Sequence, residues 1–151
     1  MKIKFLIAMF ALIAQCAWAQ TVVVSDAWAR SVVAGQGATG AFMKLQSKEG
    51  AKLVGASSPV AGVVQVHQMS MQGDVMKMSP VAALDLPAGQ TVELKPGSYH
   101  VMLMDLKQGL ENDSVIELTL NFQDATGKAF AQTIKVPVKA MQGGEHHHHA
   151  M

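Results

Sequence analysis

The chain has 151 residues, enough for one domain with a substantial core and too few for two. Half of its residues are hydrophobic and 15% are charged, which excludes a disordered chain. Twelve basic against 11 acidic residues give a formal net charge of +1 with no basic run, which argues against nucleic acid or an anionic membrane surface as the partner. What stands out from this ordinary background is 11 Met, 6 His and a single Cys.

Residues 1–19 read as an address. Lys2 and Lys4 precede an apolar run over 5–13, and Ala17-Trp18-Ala19 is the small-x-small pattern of a signal-peptidase site, so a cleavable secretory signal peptide is expected. A membrane-spanning helix needs about 20 apolar residues, and Gln15 cuts this run short. The bulky Gln15 before Cys16 does not suit lipoprotein processing, so no membrane anchor is expected. Cleavage removes Cys16, and the domain at 20–140 is then expected to act in the periplasm without disulfide, thiol nucleophile or thiolate metal site.

The remainder is patterned as short strands between turn residues. Candidates are 21–28, 38–45, 63–71, 75–78, 91–94, 99–106, 115–122 and 129–138, separated by Pro80, Pro87-Ala88-Gly89, Pro96-Gly97, Glu111-Asn112-Asp113 and Thr126-Gly127. No stretch sustains apolar residues at i, i+3, i+4 and i+7, so the fold class is all-β, a single-domain sandwich or Greek-key barrel.

Chemistry concentrates on two of these strands. Outside the tail the histidines are His67 and His100, each within a Met-rich text: Val66-His67-Gln68-Met69-Ser70-Met71, and Tyr99-His100-Val101-Met102-Leu103-Met104. Strand side chains alternate faces, so His100, Met102 and Met104 share one face while Tyr99, Val101 and Leu103 form the apolar other. His67 and Met69 repeat the relation, and a hairpin turning at Gly73-Asp74 would return Met78 beside His67. A single Met or His is ordinarily packing, but Met69, Met71, Met76, Met78, Met102 and Met104 all lie near one of two histidines, on strands whose other face is already apolar. Thioethers are soft and carry no proton to lose, so a Met/His site prefers Cu(I) to Zn, Mg or Ca.

These residues resemble the periplasmic copper chaperone PCu(A)C family (PCuAC). The resemblance rests on His67, Met78, His100 and Met102 at their fixed gaps, with Ser58-Pro59-Val60-Ala61-Gly62, Met76-Lys77-Met78 and Leu94-Lys95-Pro96-Gly97 around them. It implies a cupredoxin-like β-barrel that binds one Cu(I) through those four residues, with Met69 in reserve. It also implies delivery of copper to centres such as that of cytochrome c oxidase, the acceptor being an oxidase copper subunit or a thioredoxin-like metallochaperone. Periplasmic copper storage or resistance is the alternative function.

Other classes fit less well. An electron-transfer cupredoxin needs a Cys ligand. A serine hydrolase would show a Gly-x-Ser-x-Gly elbow, which is absent, and the acids are scattered singly, so no enzyme is expected. An adhesive sandwich domain leaves the His and Met face unexplained. The tail at 141–151 carries His146, His147, His148 and His149 behind Gly143-Gly144. Such a run resembles a purification tag, but four histidines followed by Ala150-Met151 read better as a native, flexible metal-binding segment suited to Cu(II).

Overall fold

The computed structural model describes residues 21–140. The expected signal peptide at 1–19, including Cys16, and the His-rich tail at 141–151 lie outside the described residues. Within them the chain forms ten strands: β1 (Val22–Arg30), β2 (Ala38–Ser47), β3 (Ala51–Ser57), β4 (Ala61–Gln72), β5 (Val75–Pro80), β6 (Leu84–Leu86), β7 (Thr91–Leu94), β8 (Tyr99–Leu106), β9 (Val115–Asp124) and β10 (Ala129–Lys139). No helix is present among these residues. The fold is all-β and cupredoxin-like.

The strands run in the order β5-β4-β8-β2-β1-β10-β9-β3-β6, with β7 beside β2. The two halves join where β1 runs parallel to β10 over only Ala29–Val138 and Arg30–Lys139. The chain crosses repeatedly between halves, since β3 and β6 belong to one and β4, β5, β7 and β8 to the other. That is the Greek-key habit of β-sandwiches.

Period-2 patterning sets which face is core. On β9, Ile116, Leu118, Leu120 and Phe122 are buried, with Val115, Glu117 and Gln123 outside. On β2 the core side chains are Ala41, Met43 and Leu45, and on β8 Val101 and Leu103, all fully buried. Tyr99 packs against the same core. The opposite face of β8 therefore carries His100, Met102 and Met104 on the outside of the sandwich, as the alternation predicts.

Two strands escape the sequence pattern. β3 reads Ala-Lys-Leu-Val-Gly-Ala-Ser, with small residues in place of the large β-formers, and β6 has three residues. Both are fixed by partners, β3 by β9 and β6 by β3. Pro80, expected as a separator after 75–78, is itself the last residue of β5, opposite His67. A proline is tolerated there because β5 is an edge strand and its missing N–H faces no neighbour.

Candidate metal site

The candidate site lies on the outer face of β5, β4, β8 and β2. His67 and His100 are directly opposed across β4 and β8. Toward the hairpin turn, the next pair on the same face is Met69 and Met78; away from it, Gln65 faces Met102, and Met102 faces Gly40 on β2. Met78 and Met102 thus flank the histidine pair diagonally. Met78 sits directly opposite Met69 and is a diagonal neighbour of His67, so the hairpin returns it beside the histidine two residue pairs off. The turn itself follows from Gly73, whose φ of +64° is the conformation a two-residue hairpin loop with glycine first requires.

The two imidazoles are almost wholly buried although they stand on the outer face, with 9% of His67 and 5% of His100 exposed. Their rings meet edge-on, centroids 5.8 Å apart. Phe42 lies 6.3 Å from His100 and packs at a tilt against Trp28, centroids 4.7 Å apart, while the Arg30 guanidinium sits 5.8 Å above the Phe42 ring. Gly40 makes room for this arrangement, since a Cβ there would stand 3.0 Å from the Phe42 ring. The resulting depression of about 450 Å³ is lined by Met69, Met78, His100, Met102, Phe42 and Arg30 among others.

Each imidazole has one nitrogen engaged and one free. The Nε2–H of His67 donates to Gln65 Oε1 at 3.1 Å, and the Nδ1–H of His100 donates to the Ser98 carbonyl at 3.3 Å. A carbonyl oxygen only accepts, so these contacts select the tautomers and leave lone pairs on His67 Nδ1 and His100 Nε2. His67 Nδ1 is buried and has no hydrogen-bond partner. Burial, then the neighbouring His100, lowers the His67 pKa and keeps the ring neutral. A buried acceptor without a partner costs free energy unless something binds it, and a neutral imidazole nitrogen beside thioethers fits a soft cation.

Hard-ion chemistry finds no comparable place. Among the described residues no three His, Cys, Asp or Glu side chains come together. Of the methionines singled out, Met104 faces Val63 and Ala38, further from the histidines along the same face, while Met71 and Met76 oppose each other near the turn. Sequence reasoning missed Gln65, Phe42, Trp28 and Arg30. Gln65 was legible in principle, since it lies two residues before His67 on the same strand face; the aromatic pair was not, because only the β1–β2–β8 register brings it alongside.

Residues 22–138 match the family model "Putative lipoprotein LpqE-like". The chain belongs to the LpqE-like family. A similar protein, "Putative lipoprotein Lxx21020" of Leifsonia xyli subsp. xyli, is 37% identical over 128 residues, covering 83% of this chain and 74% of its own length. Uncharacterized protein RP573 of Rickettsia prowazekii is 37% identical over 78 residues, 51% of this chain and 43% of its own. Among solved structures, the copper-bound PCuAC domain from PmoF2 superposes with a TM-score of 0.63 at 25% identity, over 82% of this chain and 97% of that one. The solution structure of CuI-DR1885 from Deinococcus radiodurans gives a TM-score of 0.55 at 32% identity, over 87% and 88%. This LpqE-like chain thus has the PCuAC fold.

Proposed function

We propose that this protein binds one Cu(I) through His67, Met78, His100 and Met102 and carries it, outside the cytoplasm, to a copper-accepting protein. The observation that carries the reading is the opposed histidine pair with its buried, partnerless Nδ1 on His67, flanked by thioethers on an outer face. The similarity to a copper-bound PCuAC domain and to CuI-DR1885 supports copper as the cargo. The family's description and one relative's name as putative lipoproteins, together with the leader pattern at 1–19, support an extracytoplasmic place.

The ligand chemistry suits carriage rather than catalysis. Neutral thioethers and imidazoles hold Cu(I) better than Cu(II), so the ion keeps one oxidation state. Met78 is 47% exposed while the histidines are buried, so one side of the site opens to an approaching acceptor. Met69, directly opposite Met78, is placed to take over when Met78 lets go.

The test is transfer. Cu(I)-loaded protein is mixed with an apo oxidase copper domain, and separately with an apo thioredoxin-like metallochaperone, and the copper is followed. One Cu(I) per chain, passed on to either acceptor, is the expected result. Retention against both would favour storage, and the lack of stoichiometric Cu(I) binding would sink the reading.

A further inference from the structure

We infer that the turn end of the β4–β5 hairpin carries a second soft-cation site, made by Met71 and Met76. These residues are directly opposed across the two strands, two residue pairs nearer the turn than Met69 and Met78. Each is two residues from its neighbour on the same strand, so all four thioethers stand on one face as a ladder. Opposed side chains in an antiparallel pair have Cβ atoms about 4.5–5.5 Å apart. The flexible methionine side chain lets two sulfurs at that separation turn onto one ion between them. Uncharged sulfur selects Cu(I) or Ag(I) and leaves hard cations in water.

Packing does not account for this pair. Met71 is 62% and Met76 46% exposed, and neither belongs to the apolar core. Exposure falls along the face from Met71, through the partly buried Met69, to His67 at 9%. With two ligands open to water, the outer site is the weaker one, roughly 7 Å along the strands from the Met69–Met78 pair. Its role as a station where copper enters or leaves rests on the Cu(I) reading above, whereas the site itself rests on register and exposure alone.

The experiment titrates the full chain, labelled with ¹³C in its methionine methyls, with Ag(I). Resonances are assigned through single Met-to-Leu variants. The earliest methyls to move should be Met78 and Met102; further Ag(I) should then move Met71 and Met76 together to saturation. Met71→Leu should abolish the Met76 shift, and Met76→Leu the Met71 shift, with the early shifts unchanged in both. Methyls of Met71 and Met76 that stay still in excess Ag(I), or a Met76 shift undiminished in Met71→Leu, would overturn the hairpin site. If Met78 and Met102 stay still while Met71 and Met76 saturate together, the hairpin site stands and the four-ligand reading falls.

Discussion

His67 and His100 face each other directly across β4 and β8, rings 5.8 Å apart, and each turns a hydrogen-bonded nitrogen toward a carbonyl oxygen. For His100 that oxygen belongs to the backbone of Ser98, and for His67 to the side chain of Gln65. Only the second can be removed by substitution, which separates ring orientation from ring identity.

Gln65→Leu should therefore weaken Cu(I) binding with every proposed ligand intact. Partners that orient a metal-binding imidazole typically contribute about 10–100-fold in affinity. Gln65 is exposed, so the fold should tolerate the change. Competition against a chromophoric Cu(I) chelator gives the affinity and a thermal melt checks the fold. An unchanged affinity would mean that the Gln65 contact does not orient the ring for metal.

Replacing Met78 and Met102 together by Leu tests the thioethers themselves. Leu and Met have similar volumes, and such exchanges usually cost less than about 1.5 kcal/mol of stability even in a core. Met78 is half-exposed and Met102 partly buried, so the fold should be retained. Cu(I) affinity should collapse, as read by the same chelator competition. Parent-like binding in the double variant would refute this ligand assignment.

How far the sequence disclosed these features depended on whether a feature was local. Alternation on β8 separates Val101 and Leu103 from His100 and Met102, and the structure buries the first pair in the core and sets the second on the outer face. Gly73-Asp74 marked the hairpin because only a few residue pairs close so tight a turn. β3 and β6 were not legible, since a strand containing Gly55 and another of three residues depend on partners distant in sequence. The offset that puts Pro80, not Met78, opposite His67 follows from the Gly73-Asp74 turn, since a two-residue loop pairs Gln72 with Val75 and thereby fixes every later pair of the hairpin.

The core, not the site face, should dominate stability. Phe122 is fully buried between layers and its ring stacks on Phe130 at 5.2 Å. Phe122→Ala removes a large buried ring and leaves a cavity, a change that costs about 3–5 kcal/mol. Urea denaturation of the apo protein should show this loss, against a much smaller one for Met78→Leu. Comparable losses from the two would mean that the hairpin face bears more of the fold than its exposure indicates.

The last expectation concerns acid. In the folded chain the His67 pKa lies below its ordinary value of 6.5, because burial and then the neighbouring His100 disfavour the charged ring. The unfolded chain therefore binds more protons than the folded one between the two values, and stability rises with pH through that window. The contribution is complete above pH 6.5 and is lost as pH falls through the lowered folded value. Asp124 adds a separate loss at lower pH. Its carboxylate is held by the Thr126 hydroxyl and by the Lys128 and Thr126 amides, which puts its pKa below 3.8 and confines its effect to more acidic solutions. The apo melting temperature should thus begin to fall just below pH 6.5, and His67→Gln should flatten that first decline while leaving the more acidic one. Cu(I) should raise the melting temperature but steepen its decline below pH 6.5, because protons compete with the metal for the same His67 nitrogen and weaken its binding, whereas the thioethers do not titrate. A melting temperature that is flat from pH 7 to pH 5 in the parent would show that His67 titrates as freely in the fold as outside it.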